Sequence, residues 1–487
     1  MTITPFRKTA LFGCLLFLKT FAFGQAQLGL RLDNFAGVNA LALNPSAGAT
    51  AAFGWDINLA GVGASLGNNL LFIGSASVGG VLAHPGLIGA ANGVQFPTNT
   101  QNLYFYDFFN QPHEKFFVSS VFAALPSAQF NFENGTSFGF SLAERAAFGS
   151  FDIPLIADAY FQQKILRGEK RFVPPLRVMG ASWGEFGLNF SKKILDDTKG
   201  SLTVGATVKI LTAQQGVFLE NFDGTAVTRL SKDSTILHAL NTTVGFTDNF
   251  QHNLFGNNGG GWSFDIGATW TLGGNADYES KPYDWRFGVA LLDVGVLNFS
   301  KNAQVHDLKF NEPKLFITKD YNRLDLDNPE VDFINRFNEK ILNNPNGSLR
   351  GTAFSMRLPM TLSLQADYAA TDAVFINATL IQRLPTGYFT LPRANLLAVT
   401  PRYETRWLGA SLPLSIVEWR QVRLGLAVRL AYLTLGSDHL LSFLGEEKLS
   451  GTDFYIALKI NPSQVGKLHG GSGGGSSGGK AGSCYRF

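Results

Sequence analysis

Few residues in this chain stand at spacings that could do chemistry. Gly180-Ala181-Ser182-Trp183-Gly184 matches a nucleophile elbow, in which a serine is exposed on a strand-to-helix turn beside a histidine and an acid. Here the motif opens into a strand-like run, so the turn that would expose the hydroxyl is not in the pattern. The 7 histidines are scattered, with no two at helix-face or finger spacing, and give no basis for zinc. Asp320, Asn322, Asp325 and Asp327 lack the glycine and closing glutamate of a calcium loop and read as a solvated acidic loop. Gly259-Gly260-Gly261 precedes a strand rather than a helix, so no phosphate cradle follows. The expectation is a non-enzyme that needs no cofactor and no metal.

Other charged residues do keep a spacing, and it is a period of two. Arg402, Glu404 and Arg406 alternate with Pro401, Tyr403, Thr405 and Trp407. Asp265, Arg429, Asp453 and Lys459 fall on the polar side of similar runs. If the aromatic side of each run faces lipid, these seven charges face a lumen. Opposite charges can pair there, whereas against hydrocarbon they would be costly. Such a network can fill and rigidify a lumen or guide a solute through it.

The elements that would carry these charges are strands. Trp262, Phe264, Ile266, Ala268, Trp270 and Leu272 alternate with Ser263, Asp265, Gly267, Thr269 and Thr271. The same arithmetic separates Phe454, Ile456, Leu458 and Ile460 from Asp453, Tyr455, Ala457 and Lys459. Leu362, Leu364, Ala366 and Tyr368 oppose Thr361, Ser363, Gln365 and Asp367 in the same way. Apolar-out, polar-in runs of about ten residues are the signature of a transmembrane barrel. The polar face holds small residues rather than the Lys and Glu of a solvated sheet, which disfavours a soluble sandwich. Asp196-Asp197-Thr198-Lys199-Gly200 and Asn134-Gly135 read as tight hairpin turns. The longest connection, Ala303 to Ala353, contains a candidate helix from Pro329 to Leu342 with Phe333, Phe337 and Ile341 on one side. Ile153 to Leu166 is a second helical candidate, and Val78 to Lys115 a third long segment. The fold expected is all-β: an antiparallel transmembrane outer-membrane β-barrel of about fourteen strands, with an N-terminal hatch and long extracellular loops.

Residues 1–24 read as a secretory signal, with Arg7 and Lys8 before an apolar stretch and Ala22-Phe23-Gly24 at the cleavage site. A lipoprotein box at Leu11-Phe12-Gly13-Cys14 competes, but its apolar run is short. Removing the signal takes away Arg7, Lys8 and Lys19, so 40 basic against 37 acidic residues becomes 37 against 37. A neutral mature chain gives no footing for nucleic acid. Cys484 then stands alone, and no intrachain disulfide can form. The division expected is a hatch over 25–50, a barrel over 51–462, and a Gly/Ser tether with a terminal tail over 463–487. The tether from Gly470 to Gly479 reaches roughly 15 to 20 Å. It ends in Cys484, Tyr485 and Phe487, where a periplasmic hook, an assembly signal or an engineered scar are the alternative readings.

The run from Asn34 to Gly48, with Asn39, Asn44 and Pro45, is too rich in small residues for a lipid-facing strand. It resembles the N-terminal hatch of FadL-type transporters of hydrophobic compounds and of PorV-like barrels of Bacteroidota. Gly187-Leu188-Asn189-Phe190-Ser191-Lys192-Lys193, Leu291-Leu292-Asp293-Val294-Gly295 and Gly451-Thr452-Asp453-Phe454-Tyr455 are similar to a Bacteroidota barrel family known as domain of unknown function 5723. These resemblances imply a plugged barrel in the outer membrane, in contact with its lipids, and leave two functions open. One is gated passive passage of small, hydrophobic molecules. The other is docking within an envelope or protein-secretion complex, with a periplasmic or secretion-machinery protein held through the C-terminal tail.

Overall fold

The structure, a computed structural model, describes residues 26–84, 88–90, 104–109, 114–153, 166–197, 199–231, 233–248, 255–273, 281–321, 329–387 and 389–462. Among them no helix is long and apolar enough to cross a membrane. The main sheet closes into an antiparallel barrel of 14 wall strands. In chain order these are β1 (Trp55–Asn68), β2 (Lys115–Ala124 and Ser127–Asn131), β3 (Thr136–Ile153), β4 (Leu176–Asp197), β5 (Gly200–Asn221), β6 (Gly259–Leu272) and β7 (Trp285–Phe299). The second half comprises β8 (Thr361–Ala369), β9 (Val374–Arg383), β10 (Leu396–Glu404), β11 (Leu408–Ser411 and Leu414–Val417), β12 (Gln421–Leu424 and Leu426–Leu430), β13 (Leu433–Ser437) and β14 (Gly451–Ile460). The ring shuts where β1 pairs with β14, from Ile57↔Ile460 to Gly67↔Gly451. Closure leaves no unpaired strand edge to face lipid.

Two wall strands are broken where proline removes a ladder N–H, at Pro126 in β2 and Pro413 in β11. At the first break the Ser127 hydroxyl accepts from the Leu142 N–H at 3.1 Å, which gives that donor of the neighbouring strand a partner.

Parity divides the wall as the alternation requires. Ile266 is 48% exposed and Trp270 52%, whereas Asp265 between the same neighbours is 2% exposed. Phe454 and Ile456 are likewise on the outer face, with Asp453 and Lys459 buried on the inner one. The outer apolar band follows the hydrophobic effect in a solvent of hydrocarbon, and the inner face carries the charges.

The two ends of the barrel differ. One end has tight connections, including the hairpin at Gly135, whose φ of +72° needs the glycine. The other end carries the long segments. There β4 and β5, 22 residues each, outrun the roughly 9–11 needed to cross a bilayer. The projecting part of β5 pairs with Leu240–Thr247, which pairs in turn with Ala303–Phe310. The helix Pro329–Phe337 and the turn Asn338–Leu342 pack on this extension, burying Phe246, Leu308, Ile334, Phe337 and Ile341 in one core. The described parts of Ala303 to Ala353 therefore form a folded extension rather than a plain loop, because a strand longer than the membrane leaves ladder groups that need partners. Residues 154–165, the core of the second helical candidate, lie outside the described residues.

Candidate functional site: the N-terminal segment and the charged lumen

The segment before β1 lies inside the ring. It runs through the short helix Leu28–Arg31 and the turns Gly37–Ala42 and Pro45–Thr50, and most of it is buried. With no alternation it cannot join the wall, and its backbone groups find side-chain partners instead. Asn44 is the cap of the second turn: its side-chain carbonyl accepts from the Ser46 N–H at 3.0 Å and the Ser46 hydroxyl at 2.7 Å. Its amide donates outward to the Ala268 carbonyl and the Thr269 hydroxyl of β6, both at 3.2 Å. Pro45 fits the first position of the turn, where an N–H has no partner to lose. The Pro45 carbonyl accepts from Asn189 of β4 at 3.0 Å. This seat needs Gly205 in the wall, since a Cβ there would stand 2.5 Å from the Pro45 oxygen.

Asn34 and Asn39 are tied down as well. The Asn34 N–H donates to Glu404 at 3.0 Å and its side-chain oxygen accepts from the Tyr283 hydroxyl at 2.9 Å. The Asn39 amide reaches Asn58 of β1 at 3.4 Å. At the far end the Leu28 N–H donates to Asp438 at 3.1 Å and the Gly29 N–H to the Tyr455 hydroxyl at 3.0 Å.

Asp265, Arg402, Glu404, Arg429, Asp453 and Lys459 are buried on the inner side of the wall and gather around this segment. Arg429 of β12 donates to Asp33 at 2.6 Å, and Lys459 of β14 reaches Asp56 at 3.0 Å and the Phe35 carbonyl. Arg402 of β10 pairs with Asp367 at 2.9 Å and stands 2.6 Å from Glu404 as an ion pair. Asp265 pairs with Lys209 at 2.7 Å, and Asp453 accepts from the Asp438 N–H at 2.8 Å. Arg406 is the correction: it is exposed in the tight connection after β10, not in the lumen. The alternation of types continues through Arg406, but the strand ends at Glu404, where Thr405 and Leu408 bond across a turn. Cys484, Tyr485 and Phe487, like the signal segment, lie outside the described residues.

The densest charge cluster was not singled out in the sequence. Asp293 takes Arg145 at 2.8 Å, Lys209 at 3.0 Å and Arg393 at 3.1 Å, and Arg145 also holds Glu185 at 2.9 Å. Arg145 and Lys209 have inward parity on β3 and β5, a signal that was open to reading. Asp293 had none, because it sits at a bulge with φ +58° that breaks the period of β7. Arg393 comes from the connection before β10, where no period exists. Asp367 was visible on its polar face, but its partner Arg286 was not.

Of the cavities that border the segment, two lie against the Gly37–Ala42 turn. The larger, of about 100 Å³, lies between the Gly37–Ala42 turn, the apolar inner side of β2 and β3, and the Asp293 cluster. The smaller, of about 50 Å³, lies on the other side of the same turn, against Arg286 and Asp367. An apolar cluster including Trp183, Phe218, Phe299, Met356 and Leu391 fills the neighbouring part of the lumen. Ser182 lies within the continuous strand β4, not on an elbow. Among the described residues no group of three or more His, Cys, Asp or Glu is placed to hold a metal.

Solved structures to which this chain is similar include the toluene transporter TodX of P. putida. It is 10% identical with a TM-score of 0.37, over 88% of this chain and 94% of that one. The toluene transporter TbuX of Ralstonia pickettii is 10% identical with a TM-score of 0.32, over 88% and 94% of the two chains. A Pseudomonas aeruginosa FadL homologue is 10% identical with a TM-score of 0.23, over 91% and 99%. No curated protein sequence matches. A family model matches residues 45–438, from Pro45 of the inner segment to Asp438 just after β13, and the chain belongs to that family of unknown function, DUF5723.

Proposed function

We propose that this protein is an outer-membrane barrel giving small hydrophobic molecules a gated, passive route across the membrane, with residues 26–50 as the gate and the long segments outside the cell. The observation that carries this reading is the seating of the inner segment. It lies within the lumen, has a cavity on each side, and is attached to the wall by side-chain hydrogen bonds rather than by a strand ladder. Such bonds contribute about 1 kcal/mol each, net of water, so the segment can shift without opening the ring. The apolar cluster above the larger cavity excludes water and suits a hydrophobic solute.

The test is uptake of a labelled monoaromatic hydrocarbon, toluene, by cells carrying the full chain or a chain lacking residues 26–50. Folded barrel is confirmed by heat-modifiable migration. Uptake above cells without the protein, rising further without the segment, supports the reading. Uptake at background in both, with folded barrel present, overturns it and leaves docking in an envelope complex as the role to pursue.

A further inference from the structure

We infer that the inner segment opens by halves: residues 39–50 are a flap that moves, and residues 26–38 are an anchor that stays with the wall. This rests on the gated-passage reading and names the part of the gate that moves within it.

The two halves are held by different groups. In the anchor, charged side chains of the wall and its connections take hold of the backbone. The Leu28 N–H donates to Asp438 at 3.1 Å, the Asn34 N–H to Glu404 at 3.0 Å and the Val38 N–H to Asp56 at 3.1 Å, while the Phe35 carbonyl accepts from Lys459. Arg429 adds its ion pair with Asp33. The flap is held by neutral amides and hydroxyls: Asn39 on Asn58, Asn44 and Ser46 on Thr269, Asn189 on the Pro45 carbonyl and Gln129 on the Gly48 carbonyl. Hydrogen bonds to ionised groups are about twice as strong as neutral ones, so the flap is the weaker half. Apolar burial points the same way. The anchor buries Leu28, Leu30 and Leu32, whereas the flap has Leu41 and Leu43 among alanine, glycine and small polar residues. Leu43 shares a cluster with Leu28 and Leu32 and is the most buried apolar side chain that flap movement exposes.

The wall under the flap favours its release. A Cβ on Gly48 would stand 2.5 Å from the Ser191 hydroxyl and 3.0 Å from the Ser137 hydroxyl, so the flap backbone lies directly on these groups. Both serines are fully buried, and neither hydroxyl has a hydrogen-bond partner among the described residues. A buried hydroxyl without a partner carries a desolvation cost that is relieved when the cover lifts and water reaches it. Movement of the flap also enlarges both cavities, since Asn39, Leu41 and Ala42 border the larger and Ala40, Leu43 and Asn44 the smaller. The larger, at about 100 Å³, is below the roughly 150 Å³ of an apolar cavity that holds benzene. A ring-sized solute needs the room that the flap gives up.

The first measurement is amide exchange of the full folded chain in lipid bilayers, read by mass spectrometry. Amides of residues 39–50 are expected to exchange about tenfold faster than those of residues 28–36. Equal rates, or faster exchange in the anchor, overturn opening by halves. The second measurement pins the flap to β4 with Gly48→Cys and Ser191→Cys in a chain that also carries Cys484→Ser, with folded barrel quantified by heat-modifiable migration. Toluene uptake by cells carrying this chain is expected to fall about tenfold when the pair is oxidised and to return on reduction. Uptake unchanged by oxidation, with the disulfide confirmed by mass, overturns the flap. Should the pair not form or the barrel not fold, the exchange rates decide alone. Uptake at background both with the wild-type chain and with the chain lacking residues 26–50 overturns the gated-passage reading itself, and the exchange rates still decide whether the halves move separately.

Discussion

The wall and the segment inside it are both closely packed, yet they are held by different physics. Each wall strand is fixed by a ladder to two neighbours, and β5 alone pairs with β4 over most of its 22 residues. The inner segment makes no such ladder and depends on single side chains from distant strands: Asn189 of β4, Gln129 of β2, Arg429 of β12 and Lys459 of β14. Cooperative ladders make the wall all-or-none, whereas separate bonds let the segment leave in steps. The gated passage proposed above, through the lumen and not through the wall, needs this division.

The largest effects should fall on the wall. Asp293→Ala leaves Arg145, Lys209 and Arg393 around an empty centre, and removing one member of a buried ion cluster costs about 3–5 kcal/mol. Equilibrium unfolding in detergent or lipid should show it as a lower midpoint for the whole barrel. A wild-type midpoint would mean that the cluster does not brace the wall. Next comes Ile266→Arg, which puts a charge in the middle of the outer apolar band of β6, a change that costs about 2–4 kcal/mol near the bilayer midplane. If Ile266→Arg is tolerated while Asp265→Arg is not, the assignment of faces is reversed.

These faces could be read from the residues because a strand reports its own environment every second position. Trp262 to Leu272 and Asp453 to Ile460 show the alternation without interruption, and the structure places them as that pattern requires. Legibility stops where the period stops. Asp293 lies at a bulge, Arg393 in a connection, and Arg406 in a turn whose residue types imitate a strand. The inner segment was recognisable only by its lack of a pattern together with Asn44-Pro45. Its partners could not be named, because Asn189 and Thr269 are 144 or more residues away in sequence and meet it only when the ring closes.

Smaller changes should separate the segment from the wall. Asn44→Ala removes a turn cap and two bonds to β6, a loss of about 1–2 kcal/mol. The expected outcome is an unchanged unfolding midpoint with faster amide exchange across residues 37–50. Gly205→Val should produce the same pattern from the other side, since its side chain would occupy the place of the Pro45 carbonyl. Slower uptake or a lowered barrel midpoint in either variant would show that segment and wall unfold as one unit.

The smallest effect separates two arginines that the sequence makes look alike. Arg402 is 3% exposed and bound to Asp367, so its truncation belongs with the wall-breaking changes. Arg406 stands four residues on, with its side chain in solvent. What that position gives the lumen is its backbone: the Arg406 carbonyl accepts from Arg429 at 3.2 Å and the Thr405 carbonyl at 2.8 Å, while the same Arg429 holds Asp33 of the inner segment. Truncating the side chain leaves those carbonyls in place, and exposed substitutions of this kind stay within about 0.5 kcal/mol. Arg406→Ala should therefore match the wild type in unfolding midpoint, amide exchange of residues 26–50 and toluene uptake. Arg429→Ala should loosen the segment, because it removes the link between this turn and Asp33. Loosening by Arg406→Ala to the same degree would mean that its side chain, and not the turn backbone, anchors Arg429.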